Sequence, residues 1–290
     1  MRTVTVVGVG LIGGSFALAL RKAGFQGRIF GVSSPATIER ALARGAIDEG
    51  LPLERAVPQS DLVYLAQPIL RILETLAALD PLLRPDALVT DASSTKRRIV
   101  ETARASIRRA QFLGGHPMAG KETRGVEEAD PDLFQGRTYV LTPAAPEELE
   151  TAPAREFSAW LGRIGAATLV LSPEAHDEVV SFTSHLPQMA STALASLLFE
   201  RLDSPEHLRA AGPGLADTTR LAMSAFDVWG DILRTNADKV DTALAAYIDK
   251  LTELRRLLGD EGMGREFERA AGFARQLRDR RGKEPDSPPK

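Results

Sequence analysis

The stretch Gly114-Gly115-His116-Pro117-Met118-Ala119-Gly120 sets a single imidazole among glycines and a proline. Far upstream, Gly8-Val9-Gly10-Leu11-Ile12-Gly13 has the G-x-G-x-x-G spacing of a dinucleotide cradle. The β-branched run Thr3-Val4-Thr5-Val6-Val7 precedes it and a helical pattern from Ser15 to Ala23 follows it. In such a cradle Gly8 allows the tight turn, Gly10 lets a pyrophosphate approach the backbone, and Gly13 lets helix and strand pack closely. The phosphates then meet the positive end of the helix, beside Leu11 and Ile12. A nicotinamide held there accepts a hydride, and an imidazole titrating near neutrality suits the proton that must leave as well. His116 follows the apolar Gln111-Phe112-Leu113. It is therefore expected at a strand-to-loop turn on the carboxyl edge of a sheet, where open α/β folds bind ligands. The bland alternative is a turn histidine with no chemical role.

Three further runs carry polar groups. Asp91-Ala92-Ser93-Ser94-Thr95-Lys96 follows a strand-like segment and opens a helix, so Ser93 or Ser94 also suits an N-cap. Ser184-His185-Leu186-Pro187-Gln188 lies in a long helical pattern that Pro187 should kink, freeing a carbonyl nearby. Gly212-Pro213-Gly214-Leu215-Ala216-Asp217-Thr218-Thr219-Arg220 is a glycine-rich helix entry. Asp217 and Arg220 at i, i+3 make either an ordinary surface ion pair or part of a carboxylate site, which the planar guanidinium fork fits. At the end of the second strand the chain reads Gly31-Val32-Ser33-Ser34-Pro35, with no acid to bind a ribose 2′-hydroxyl. Ser33, Ser34 and Thr37 can donate to a 2′-phosphate and Arg40 adds charge, which tilts the expected cofactor from NAD towards NADP.

These groups need a scaffold. Val4–Val7, Arg28–Val32, Asp61–Ala66, Ala87–Thr90, Gln111–Leu113, Thr138–Thr142 and Thr168–Leu171 read as strands alternating with amphipathic helices. That alternation predicts an α/β, Rossmann-type doubly wound parallel sheet over residues 1–171. Ser172-Pro173-Glu174 carries cap, first-turn proline and first-turn acid, and only helical patterns follow. Glu174–Arg201, Glu206–Met223, Phe226–Leu233, Asp238–Leu258 and Arg265–Arg280 make an all-α domain over 172–281. Long apolar helices in so small a domain point to a homodimer, with a compact monomeric bundle as the alternative. Residues 282–290 are polar and proline-rich, and disorder is expected there.

Composition narrows the function further. A net charge of -3 makes no electrostatic case for nucleic acid or an anionic membrane. The chain has 0 cysteines, which removes disulfides, cysteine-ligated zinc and thiol catalysis; no metal is called for. No apolar run approaches the ~18 residues of a membrane span. Met1 leads directly into a strand, leaving no room for a signal peptide, so a cytoplasmic location is expected.

The GGHPMAG, DASSTK, SHLPQ and GLADTTRLA runs, in that order behind a nucleotide fingerprint, resemble the prephenate/arogenate dehydrogenase family of tyrosine biosynthesis. The resemblance extends from Val4 to about Leu258. It implies a Rossmann domain, an all-helical dimerisation domain, and NAD(P)-dependent oxidative decarboxylation of prephenate or arogenate. It further implies that His116 accepts the C4 hydroxyl proton and that Ser94 orients histidine and hydroxyl. Arg220 would bind a substrate carboxylate, the one on the ring, and Trp229 matches an aromatic near the site, though core packing accounts for it equally. Ser184 and His185 fall in the pocket segment; His185 is equally a packed helix histidine. His176 and His207 read as structural.

One departure concerns the far end of the substrate. Where many family members carry a second histidine after Leu186, this chain has Gln188, a neutral amide. With Asp217 it leans towards the ammonium of arogenate over the keto group of prephenate. Two other readings compete. Rossmann-plus-helical β-hydroxyacid dehydrogenases and imine reductases use a lysine acid, for which Lys96 and Lys121 are candidates. A non-catalytic NADP-binding sensor would need neither His116 nor Arg220.

Overall fold

A computed structural model describes residues 1–202 and 204–281. The described residues divide into two compact units: Met1–Val180 together with Ser224–Asn236, and Ser181–Met223 together with residues 237–281.

The first unit is built on one eight-stranded sheet. Its strands are β1 (Thr3–Val7), β2 (Arg28–Val32), β3 (Glu49–Gly50), β4 (Leu62–Leu65), β5 (Leu88–Asp91), β6 (Gln111–Pro117), β7 (Thr138–Thr142) and β8 (Ala167–Val170). They lie in the order β3-β2-β1-β4-β5-β6-β7-β8. From β1 the chain winds first to one side and then to the other, so a crevice opens above the carboxyl ends of β1 and β4. β1 and β4 are buried on both faces, which is why TVTVV and LVYL read as almost continuous apolar runs. One core layer gathers Phe16, Leu20, Tyr64, Phe134 and Phe157, with the Phe16 ring stacked on Tyr64 at 3.9 Å. The other gathers Val63, Ile72, Leu76, Ile99 and Ile232, and the half-buried Trp229 packs against it. This α/β architecture matches the expected Rossmann-type class.

Three local expectations are corrected. The sheet is not wholly parallel: β6 and β7 pair antiparallel, with His116 opposite Val140. Segment 118–137 holds only the short 3-10 turn Val126–Glu128, and no α-helix carries the chain back across a sheet face. Secondly, β6 continues through Pro117, so His116 lies within the strand rather than in a turn after it. Thirdly, β3 has no counterpart among the expected strands, because two residues are too short to show a period.

The helix Pro173–Val180, read from sequence as part of the helical domain, packs with the first unit. Ser172 caps it as expected, accepting from Ala175 N–H at 3.1 Å. The long helix expected over Glu174–Arg201 is interrupted by a π turn, Ser181–His185, and resumes as Leu186–Arg201 with Pro187 in its first turn. The expected helix Glu206–Met223 is also broken. Gly212-Pro213 ends one segment and starts another, Pro213–Thr219, which tightens to a 3-10 turn at Arg220–Met223. Ala237–Arg256 and Gly262–Arg281 complete the helical unit. Residues 282–290, where disorder was expected, lie outside the described residues. Among those described, no helix is long and apolar enough to cross a membrane.

Candidate active site

The glycine cradle has the required shape. Gly8 adopts φ +92°, and a Cβ there would stand 2.7 Å from the carbonyl oxygen of Ala66. A Cβ on Gly13 would meet the carbonyl of Gly8 at 2.2 Å, whereas Gly10 has no neighbour within 4 Å of that position. Two glycines therefore close the turn and the third leaves space beside the backbone. The helix Leu11–Lys22 starts with no side-chain cap and no acid in its first turn. Its opening N–H groups, at Leu11, Ile12 and Gly13, suit a diphosphate.

At the end of β2, the Ser34 hydroxyl caps the helix Pro35–Ala43 and lies 2.9 Å from the Thr37 hydroxyl. Ser33 and Ser34 are exposed and Thr37 is half-buried. Arg40 is committed to a carboxylate: it donates to the Ala36 carbonyl at 3.0 Å and pairs with Glu127. Glu127, in the connection after β6, had no signal in the sequence, because 87 residues separate it from Arg40.

Beside the cradle, the ends of β5 and β6 are locked together. Lys96 is 0% exposed and donates to the carbonyl of Gly115 at 2.6 Å, to Ser93 Oγ at 3.0 Å, and to the Asp91 carboxylate. Asp91 Oδ1 in turn accepts from Gly115 N–H at 3.1 Å. The peptide before His116 is thus gripped from both sides. Glycine is needed there because a Cβ on Gly115 would stand 2.7 Å from the Asp91 carbonyl oxygen. Burial holds the Lys96 ammonium below its ordinary value, opposed by the Asp91 charge. Its three N–H groups meet three acceptors, so Lys96 is a buried strut rather than an acid aimed at substrate. Lys121 is likewise engaged, by Asp130 at 2.9 Å and the Glu128 carbonyl at 3.1 Å. Neither lysine has the setting that a lysine-acid dehydrogenase requires.

His116 itself is 9% exposed. Its Nδ1 lies 2.8 Å from Nε2 of His176, which is fully buried. Nδ1 of His176 lies 2.8 Å from Asp177 Oδ1. Asp177 also receives Lys96 N–H at 2.7 Å and Arg97 N–H at 3.0 Å, capping the helix Arg97–Ser106. The cap expected from Ser93 or Ser94 therefore comes from a distant carboxylate. Burial alone would raise the Asp177 carboxyl, but His176 and these two N–H donors outweigh it and hold it below the usual range. Burial depresses His176, so that ring is neutral. The reading of His176 as structural missed this contact. The adjacent His176-Asp177 pair was its one signal in sequence.

Ser94, half-buried at the start of the same segment, makes no hydrogen bond among the described residues, while its neighbour Ser93 is tied to Asp91 and Thr95. Arg124, in the loop after β6, pairs bidentately with Asp227 on the helix Phe226–Thr235, the helix that carries Trp229.

The second unit joins two of the expected segments. Gln188, 5% exposed, donates through Nε2 to the carbonyl of Leu221 at 2.8 Å, the residue after Arg220. Ser191 Oγ accepts from Ala222 N–H at 3.1 Å. The SHLPQ helix therefore holds the Arg220 turn by its backbone. A carbonyl only accepts, so the Gln188 amide nitrogen must face it, and Oε1 is left buried without a hydrogen-bond partner. His185 is buried and Ser184 half-buried in the π turn, whereas Asp217 and Arg220 are exposed.

Comparison with known proteins agrees with this anatomy. The prephenate dehydrogenase nucleotide-binding domain matches residues 16–160, and the prephenate dehydrogenase dimerization domain matches residues 172–271. The chain is 34% identical over 270 residues to a prephenate dehydrogenase of Bacillus subtilis, covering 89% of this chain and 71% of that one. It superposes on prephenate dehydrogenase from Aquifex aeolicus, solved with hydroxyphenyl propionate and NAD+, with a TM-score of 0.87 and 32% identity. That match covers 96% of this chain and 98% of the other. Synechocystis arogenate dehydrogenase gives a TM-score of 0.82 at 31% identity, covering 95% of this chain and 100% of that one.

Proposed function

The chain belongs to the prephenate dehydrogenase family, and we propose that it oxidatively decarboxylates prephenate, arogenate or both, with His116 as the base. It is an oxidoreductase of tyrosine biosynthesis that uses a nicotinamide dinucleotide. A bound nicotinamide supplies the hydride acceptor for ring carbon C4. The remaining steps fall to side chains. As the C4–H bond breaks, His116 takes the C4 hydroxyl proton and a C4 carbonyl forms. The bond from C1 to its carboxylate then breaks. Its electron pair enters the ring, which becomes aromatic, and CO₂ leaves. The phenolate oxygen recovers the proton from His116, so the imidazole borrows a proton and ends unchanged. Aromatisation drives the loss of CO₂, leaving the enzyme mainly to position groups and move that proton.

The observation that carries this reading is the anchored imidazole. His116 sits at the carboxyl end of β6 with Nδ1 held by His176. The tautomer this bond selects puts the lone pair on Nε2. Ser94 orients the hydroxyl beside it. Arg220, on the turn braced by Gln188, binds the ring carboxylate firmly enough to place it without preventing its departure. By the family resemblance, Ser184, His185 and Trp229 are assigned to substrate binding.

Between the two substrates, we infer a lean towards arogenate. The exposed Asp217 carboxylate attracts the ammonium of arogenate, and Gln188 is a buried neutral amide that adds no charge against it. For the cofactor, the absence of an acid after β2 and the donors Ser33, Ser34 and Thr37 favour NADP. Arg40 reaches a 2′-phosphate only on leaving Glu127. The helical unit leaves Phe199, Leu258, Phe267 and Phe273 largely exposed, which supports a homodimer through that unit. Steady-state kinetics over the four combinations of prephenate or arogenate with NAD or NADP test the proposal. Cofactor reduction with stoichiometric CO₂ is expected in at least one; none in all four contradicts it and favours a sensor.

A further inference from the structure

The mechanism above uses one histidine, yet the first unit contains a continuous line of three titratable side chains. His116 Nδ1 and His176 Nε2 are 2.8 Å apart, and His176 Nδ1 and Asp177 Oδ1 are 2.8 Å apart. The two rings meet edge-on, with centroids 5.1 Å apart and planes at 67°. Reading outward from the carboxylate fixes every proton in the line. Asp177 is ionised and can only accept, so His176 must carry its proton on Nδ1. A neutral His176 then presents a lone pair at Nε2, and that lone pair can only be met by a proton on His116 Nδ1. The base nitrogen of His116 is therefore Nε2, by necessity of the chain of bonds rather than by chance of tautomer.

Asp177 is itself held in place. Two N–H groups at the start of the helix Arg97–Ser106 point at its carboxylate, and Asn236 Nδ2 donates to its backbone carbonyl at 2.9 Å. The helix that starts there also carries the lysine strut under Gly115, so one carboxylate aligns both the ring and the strand that bears it.

We propose that His176 and Asp177 are positioning residues for the reaction: they lock His116 in the tautomer with its lone pair on Nε2 and stabilise the imidazolium formed when it takes the hydroxyl proton. The charge of Asp177 acts through the intervening neutral ring, as an orienting carboxylate acts on a catalytic imidazole elsewhere. No proton need travel along the line. His116 gains one at Nε2, keeps the one at Nδ1, and gives the first back to the phenolate. The charged groups bearing on His176 are Asp177 on its own helix, Lys96 at the start of the helix Arg97–Ser106, and Asp91 at the end of β5; His116 faces it from β6. Of these, Lys96 and Asp91 neutralise one another as a buried pair, and Arg97 Nε, 3.5 Å from Asp177 Oδ2, offsets part of the charge that Asp177 places along the line.

This proposal rests on His116 being the base, so its test needs a readout that does not. The chain has only four histidines, and uniform ¹⁵N-histidine labelling of the full-length protein reports each ring's tautomer directly. The wild-type protein is expected to show His116 and His176 both protonated at Nδ1. His116 protonated at Nε2 overturns the proposal, whatever the activity. The kinetic arm compares His176→Leu, which removes the acceptor, with His176→Gln, whose amide oxygen can replace Nε2 as acceptor. His176→Leu is expected to lower kcat by about 10²-fold, the scale of a misoriented general base, with KM within about threefold. His176→Gln should recover most of that loss. In both variants the basic plateau of kcat against pH should begin at lower pH, because His116 no longer feels the carboxylate and becomes a weaker base. A merely structural His176 would leave that profile where it is. Wild-type kcat and an unmoved profile in His176→Leu also overturn the proposal. If His176→Leu fails to fold, the His176→Gln profile and the ¹⁵N tautomers decide. If no substrate is turned over, the proposed function fails, and the tautomer measurement still decides this one.

Discussion

The ammonium of Lys96 lies 2.6 Å from the carbonyl oxygen of Gly115, the residue before His116. The carboxylate of Asp91 takes both that ammonium and the N–H of the same Gly115. A fully buried ion pair thereby holds the backbone at the one place where a small shift would displace the proposed base.

Lys96→Met keeps the volume and removes the charge, leaving Asp91 buried and unpaired. Breaking one side of a buried pair typically costs about 3–5 kcal/mol. Urea unfolding of the variant should show a loss on that scale, with kcat reduced as well. A loss below about 1 kcal/mol would mean that the pair is far wetter than its burial indicates.

Arg220→Ala should raise KM about tenfold or more, since a charge-assisted hydrogen bond to a carboxylate contributes about 1.5–3 kcal/mol. Effects on kcat should be smaller. Initial-rate kinetics check this, and an unaltered KM would remove Arg220 from substrate binding.

Glu127→Gln should favour NADP. It releases Arg40 from its carboxylate partner and removes a negative charge from the neighbourhood. The pair is half-exposed, so the gain is modest: about two- to fivefold in KM for NADP, with KM for NAD little changed. Equal changes for both cofactors would show that Arg40 does not reach the 2′ position.

Asp61 governs part of the acid stability. Burial alone would raise its carboxyl, but the N–H groups of Arg2 and Thr3 and the charge of Arg84 outweigh it, holding it below its ordinary 3.8. A carboxylate depressed in the folded state contributes stability above its unfolded pKa, and that contribution fades as pH falls through the folded value. Asp61→Asn should therefore lower the melting temperature at pH 7 and flatten its decline below about pH 4. Parallel acid limbs in the two proteins would contradict this.

Local pattern carried much of this architecture. The glycine cradle, the alternation of strands and helices and the helix start at Ser172-Pro173 were legible because each depends on residues within a few positions of one another, whereas the first unit runs on to Val180. Long-range pairing was not. The antiparallel return of β7 depends on the absence of a helix in a segment whose turn chemistry is ambiguous. His116 stood out by its own flanking glycines, but its partner is 60 residues away, and an isolated histidine on a helix reads as packing. The same holds for Gln188, whose bond to Leu221 spans 33 residues. Arg40 and its unforeseen partner Glu127 teach the complementary lesson: a basic residue can be read from sequence, but not what already neutralises it.

The most direct measurement is nicotinamide reduction by wild-type protein and by His116→Asn, with prephenate and with arogenate. A neutral amide cannot accept the hydroxyl proton, so kcat should fall by about 10² or more while KM changes little. A kcat equal to that of the wild-type protein would contradict the assignment of His116 as the base.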